Sequence, residues 1–295
     1  MNQAATDHPG ETFERLLGEM RPKLHRYCAR MTGSAIDGED IVQDTLMKAF
    51  VARASAGVLD NPQAWLLRIA HNATLDFLRR RARRPLMESG EELDMIAAPD
   101  TPDPGIVAKS LRSFMRLPAL QRSAVILMDV LGHSLREAAA TTGSSEPAVK
   151  SALQRGRERL RALAKEPEDS ALPAIDGAAR ARLVAYVDGF KAGDFDTVRT
   201  MLAEDVRLDL VARLKRSGKS EVGEYFGRYA ACEQWVFSPG MVEGRAAMLV
   251  FDRDVSLDNP AYFVVLEFDG DRVAVIRDFL FARYAMEGVE MRALA

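Results

Sequence analysis

Cysteine, histidine and tryptophan are scarce in this sequence: two, four and two among 295 residues. Cys28 and Cys232 are far apart, and neither belongs to a CxxC or HxxxC pattern, so no disulfide framework and no metal site are expected. No histidine follows His133, which removes the usual general base from more than half of the chain. No stretch of 18 apolar residues exists, so no membrane span is expected. The polar start has neither the basic residues nor the apolar run of a signal peptide. Together these absences lead to the expectation of a cytoplasmic protein with reduced thiols, no membrane contact and no cofactor.

What is present is charge, and it is segregated. The formal net charge is only -3. Residues 1–85 nevertheless carry 13 basic and 10 acidic side chains, and residues 106–165 carry 11 basic and four acidic. Between them, residues 86–105 hold six acids and no base. That segment also contains Gly90, Pro99, Pro102, Pro104 and Gly105, the composition of a solvated linker. Two basic blocks separated by an acidic spacer suggest two nucleic-acid contacts on one chain.

Periodicity divides the chain further. Residues 12–85 read as helices, with Pro22 opening the second, a third over Asp40–Val51, loop composition from Arg53 to Asn61, and a long helix from Pro62. Residues 106–165 form a second helical domain. Residues 166–176 are a second linker. From 177 to 290 the pattern becomes two helices, the second capped by Asp196, and then mostly strands, with a hairpin signal at Asp269-Gly270-Asp271. The fold class expected is multidomain: two all-α domains followed by an α+β domain.

Two features point to DNA before any comparison is made. From Leu117 to Leu163 the chain reads as a helix from about Gln121, a second from Leu135, a turn at Gly143-Ser144-Ser145 and a basic third helix from Pro147. A tight glycine-containing turn before a basic helix is the helix-turn-helix pattern, which lays its last helix in the major groove. Lys150, Ser151, Gln154 and Arg155 share one stripe of that helix, with Val149 and Leu153 on the core side. Arg157, Arg159 and Arg161 read as backbone contacts or surface charge. The second feature is Arg79-Arg80-Arg81-Ala82-Arg83-Arg84. Its five arginines exceed what a helix dipole calls for and suit bidentate phosphate contact.

The blocks Asp37-Gly-Glu-Asp40-Ile-Val-Gln-Asp44-Thr-Leu-Met-Lys-Ala-Phe50 and Asn61-Pro-Gln-Ala-Trp65-Leu-Leu-Arg68-Ile-Ala-His-Asn72 resemble those of sigma-70-type factors, specifically the extracytoplasmic-function group. The resemblance covers about residues 12–165. It implies that Asp40, Gln43 and Asp44 hold core RNA polymerase at its β′ clamp, with the β flap as a second contact. It implies that the loop Ala54–Asn61 reads a flipped base of the promoter -10 element, with Arg68, Asn72, Arg79, Arg80, Arg81, Arg83 and Arg84 on the same DNA. It gives Lys150, Ser151, Gln154 and Arg155 to the -35 element. The different reading, which the residues leave open, is a polymerase-independent helix-turn-helix regulator with a ligand-sensing domain.

Arg182-Leu-Val-Ala-Tyr186-Val-Asp-Gly-Phe190-Lys-Ala-Gly193-Asp194 and Met201-Leu-Ala-Glu-Asp205 resemble the opening of SnoaL-like (NTF2-like) domains, conical α+β barrels with a cavity. The resemblance implies a candidate ligand cavity lined by Tyr186, Phe190, Leu208 and Leu210, holding an unknown small ligand. Isomerase-type members place a carboxylate base where this chain has Leu210, and Asp209 beside it should face away. No catalysis is therefore expected. The domain is expected to modulate activity in cis, although the Asn-Pro-Asp-Lys motif of such extensions is replaced here by Asp278-Phe-Leu-Phe-Ala-Arg283.

Overall fold

The computed structural model describes residues 9–57, 59–82, 106, 110–164, 175–230 and 232–294. It divides into two compact units, Met1–Glu168 and Asp169–Ala295. Arg83, Arg84 and the acidic segment 86–105 lie outside the described residues, as does most of 166–176.

Among the described residues the regular structure of the first unit is all helical. Helix α1 (Pro9–Thr32) runs without interruption through Pro22, where the sequence suggested a new helix. Proline clashes with the carbonyl four residues earlier, which here belongs to the exposed Gly18. Ser34 caps α2 (Ala35–Ala56), its Oγ accepting from Asp37 N. The helix extends through Arg53, Ala54, Ser55 and Ala56, which had read as loop; alanines continue a helix readily, and Gly57 at φ 63° ends it. A Cβ at Gly38 would lie 2.7 Å from the Ala29 backbone, so α1 and α2 are in backbone contact there. Helix α3 (Pro62–Ala82) starts with Pro62 at a tolerated first-turn position, and Asn61 Oδ1 accepts from Ala64 N.

Four further helices follow among the described residues of this unit: α4 (Leu111–Met115), α5 (Ala119–Val125), α6 (Leu135–Thr142) and α7 (Glu146–Leu163). Helix α5 runs on as a π-helical turn, Ile126–Val130. The apolar sides of both helical segments meet in one core that contains Leu24, Tyr27, Leu66, Phe114, Val125 and Val149. Each fully buried side chain of this size contributes about 1.5–3 kcal/mol. Polar groups stitch the segments together. The Arg122 guanidinium donates to Met31 O at 2.6 Å and to Leu117 O at 2.7 Å.

His71 lies in this core, with Nδ1 2.6 Å from the Tyr27 hydroxyl. Tyr27 donates on to Ser123 Oγ and Ser123 to Met31 Sδ. The neutral tautomer with its proton on Nδ1 completes the chain of donors. Burial, reinforced by the Arg79 charge, lowers the His71 pKa to about 4. The unfolded chain, whose histidine titrates near about 6.5, therefore binds this proton more tightly. The contribution of neutral His71 is complete above that pH and is lost as pH falls towards about 4. Urea unfolding across this range should show the wild type losing about 3 kcal/mol more than His71→Gln. Parallel pH profiles for the two proteins would contradict the assignment.

The second unit places helices before a sheet, the α+β arrangement that the SnoaL-like resemblance implied. Helix α8 (Gly177–Ala192) is followed by α9 (Phe195–Thr200). The cap of α9 is Asp194 and not Asp196: Asp194 Oδ1 accepts from Thr197 N. The left-handed Gly193 ends α8 and leaves Asp194 the first residue able to cap. Helix α10 (Lys219–Ala230) packs on β1.

The strands are β1 (Leu202–Leu210), β2 (Leu214–Ser217), β3 (Trp235–Val242), β4 (Arg245–Asp252), β5 (Tyr262–Asp269), β6 (Arg272–Asp278) and β7 (Met291–Ala293). Their order is β2-β1-β6-β5-β4-β3-β7, with β1 and β6 parallel and the other pairs antiparallel. The helices cover one sheet face, burying Leu183, Phe190, Val206, Leu208, Val264 and Ile276 in a second core.

Candidate nucleic-acid interface

Helix α7 turns its two sides to different environments. Val149, Ala152, Leu153 and Leu160 are buried, and Lys150 on the opposite side is exposed. Ser145 caps the helix, and the left-handed Gly143 (φ 66°) makes the turn before it. A capping box between Ser134 and Glu137 fixes the start of α6. A Cβ on Gly156 would come 2.7 Å from Val125 Cγ2, so glycine lets α7 lie close against α5. Ser151, Gln154 and Arg155 are half-buried beside Lys150. The Gln154 amide nitrogen and Arg155 Nε are shielded from water and have no hydrogen-bond partner among the described residues.

Arg157 departs from expectation. It is 2% exposed and grips Asp129 of the π-helical turn through Nε–Oδ2 at 2.9 Å and NH2–Oδ1 at 2.5 Å. It is neither a backbone contact nor a surface charge, because it falls in the same buried stripe as Leu153 and Leu160. Arg159 and Arg161 are exposed.

On α3, Leu66, Leu67, Ala70, Ala73 and Thr74 face the core, while Arg68, Asn72 and Arg79 are exposed along one stripe. Arg80 and Arg81 are exposed too. Arg79 pairs with Asp76 at 3.1 Å, and Arg81 with Asp37 at 3.3 Å. Exposed pairs of this kind are each worth less than about 1 kcal/mol, so a phosphate can replace the carboxylate.

Asp40 and Asp44 are exposed on α2, and Gln43 is half-buried. The same side of the helix carries large apolar residues that the sequence reading passed over. Met47 is 68% exposed and Val51 73%, with Phe50 at the margin, 56% exposed. Residues 40, 44, 47 and 51 have the spacing of one helical face. Its ends are acidic and apolar.

In the second unit Tyr186, Phe190, Leu208 and Leu210 are all buried in one core, and the Tyr186 and Phe190 rings lie 5.1 Å apart. Asp209 faces the other way and approaches Arg277 at 3.8 Å and Lys215 at 3.9 Å. Sequence reading missed Asp278. It is fully buried and stands beside Leu210 on the neighbouring strand. Its Oδ2 accepts from the Tyr225 and Tyr229 hydroxyls, the latter at 2.7 Å. Burial raises its pKa above the usual carboxylate range.

Both cysteines are free thiols, Cys28 buried and Cys232 half-buried. No helix among the described residues is long and apolar enough to cross a membrane.

Residues 16–84 match the Sigma-70 region 2 family and residues 111–160 match Sigma-70, region 4. The ECF RNA polymerase sigma factor SigG of Mycobacterium tuberculosis is 28% identical over 303 aligned residues, covering 88% of this chain and 79% of SigG. That share reaches beyond the helical unit. The ECF RNA polymerase sigma factor SigF of Caulobacter vibrioides is 36% identical over 134 residues, covering 45% of this chain and 74% of SigF. A solved complex of the sigma factor RpoE with the anti-sigma factor NepR from Bartonella quintana has 29% identity and a TM-score of 0.43, covering 54% of this chain and 99% of that one. With both sigma-70 regions in order and relatives of this similarity, the chain belongs to the ECF family of RNA polymerase sigma factors, which act in transcription initiation.

Proposed function

We propose that this sigma factor docks on core RNA polymerase through the exposed face of α2 and contacts a two-element promoter through α3 and α7. The observation that carries the reading is that face, where Asp40, Gln43 and Asp44 continue into Met47 and Val51. Large apolar side chains are left in water at a position where a helix ordinarily carries polar ones, which marks a protein interface. A regulator acting on naked operator DNA has no use for it. In this reading the polymerase contacts are the β′ clamp at α2 and the β flap at the second helical segment. Sigma factors are generally not enzymes, and catalysis forms no part of the role proposed for the helical unit.

Arg68, Asn72 and the arginines 79–81, with Arg83 and Arg84 beyond them, meet the -10 region. Lys150, Ser151, Gln154 and Arg155 meet the -35 element, where a base edge or phosphate would satisfy the shielded nitrogens of Gln154 and Arg155. The C-terminal unit modulates this activity in cis. Purified protein added to core enzyme should give transcription from discrete starts, identified by sequencing transcript ends. Lys150→Ala should weaken promoter binding and lower the salt-dependence slope by about 1. A chain ending near residue 170 should differ from full length in transcript yield. Core binding without specific starts would contradict the sigma reading.

A further inference from the structure

The helical unit holds a surface cavity of about 480 Å³ beside the start of α6, walled by Met128, His133, Ser134, Leu135, Glu137 and Arg157. That size suits a small organic ligand. Backbone bonds hold the loop that carries His133: Leu131 N donates to Ile126 O at 3.0 Å, and His133 N to Leu127 O at 2.9 Å. Most of the polar wall is already engaged. Arg157 grips Asp129, and Glu137 Oε2 accepts from Ser134 N at 2.8 Å and from Ser134 Oγ at 2.7 Å. His133 is not engaged. Both its ring nitrogens are shielded from water and have no hydrogen-bond partner among the described residues. Shielded polar atoms in native proteins are nearly always satisfied, so such a ring on a cavity wall indicates a missing partner.

We propose that this cavity binds a small zwitterion, a free α-amino acid with an apolar side chain. The charges around the cavity select that class. Glu137 is ionised, because the bonds from Ser134 lower its pKa, and its Oε1 has no partner among the described residues. Lys23, on α1, makes no ion pair among the described residues. It lies close enough for its charge to act on both His133 and Glu137. A simple anion would be repelled by Glu137, and a simple cation by Lys23. An apolar molecule would leave the imidazole unsatisfied. A zwitterion answers all three groups, with its carboxylate towards Lys23 and its ammonium towards Glu137 Oε1. Burial, and after it the Lys23 charge, lowers the His133 pKa and keeps the ring neutral. Neutral imidazole matches either end of the ligand, with an N–H for the carboxylate and a lone pair for the ammonium. The apolar side chain rests on Met128 and Leu135. The site belongs to the helical unit and stands or falls independently of the sigma reading.

Calorimetric titration of the full chain with a matched series tests it. The probes share one apolar body: L-leucine, 3-methylbutylamine, which lacks the carboxylate, and 4-methylpentanoate, which lacks the ammonium. L-Leucine should bind at least about tenfold more tightly than either, the increment of one charge-assisted hydrogen bond. Lys23→Met should abolish the advantage of leucine over the amine and keep its advantage over the acid. Glu137→Gln should do the reverse. Glutamine still completes the capping box with Ser134, so this variant should fold and melt as the wild type does. The probe series on the wild type decides the ligand class without either variant. The proposal is overturned if L-leucine does not bind, or if the amine or the acid binds as tightly as leucine. It is equally overturned if both variants bind leucine as tightly as the wild type, or if both lose the same preference.

Discussion

Replacing Met47 and Val51 together with aspartate should weaken association with core RNA polymerase about a thousandfold. Each residue would take a charge into the centre of an interface that excludes water. Interface positions of this kind cost about 2 kcal/mol or more when spoiled, and two such losses amount to about three powers of ten. The fold itself should be almost indifferent. Both side chains are more than two-thirds exposed, and surface substitutions usually stay within about 0.5 kcal/mol. Asp40→Ala with Asp44→Ala is the informative contrast. Charges at the rim of an interface mainly govern the rate of encounter and its salt dependence, so this pair should lower the on-rate and flatten its response to salt. Binding of a labelled protein to immobilised core enzyme, at two salt concentrations, resolves the two effects. Wild-type affinity in the Met47→Asp/Val51→Asp protein would sink the docking face.

That face illustrates what the sequence made legible. Asp40, Gln43 and Asp44 stood out because polar residues at helical spacing are conspicuous. Met47 and Val51 did not, since an apolar residue in a helix reads as core until its exposure is known. The first turns of the recognition helix were readable, because Val149 and Leu153 alternate with Lys150 and Gln154 at helical spacing. Arg157 was on that core stripe too, four residues after Leu153, but its partner Asp129 is 28 positions earlier and no local spacing links them. In the second unit Tyr186, Phe190, Leu208 and Leu210 were singled out by the SnoaL-like resemblance, and all four are buried. The carboxylate was sought on β1, where Asp209 does point away. It lies instead across the parallel pairing from Leu210, on β6, two residues after buried Ile276 and so on the same face. Strand neighbours that are far apart in sequence are what a single chain read alone does not reveal.

The pair Arg157–Asp129 should be the most sensitive point of the helical unit. Asp129→Ala leaves a guanidinium in the core without its counter-charge, a change that costs about 3–5 kcal/mol. For a unit of this size, each kcal/mol moves the melting temperature by about 2–4 °C. A fall of about 10 °C is therefore expected by calorimetry. Removing both charges is a different experiment. Asp129→Leu combined with Arg157→Met replaces a desolvated ion pair with apolar volume, which is often neutral or stabilising. This protein should melt within a few degrees of the wild type, so the two variants together separate a stranded charge from a lost contact. Their transcription should diverge as well. Arg157 belongs to the recognition helix, two residues beyond Arg155, and Asp129 to the π-helical turn at the end of α5. A bidentate guanidinium–carboxylate contact fixes direction as well as distance, and so holds α7 at one rotation against α5. The apolar double variant keeps the volume without that constraint. It should fold normally yet initiate less from the -35-dependent start, and full transcription by it would show that packing at Gly156 alone sets the angle of the helix.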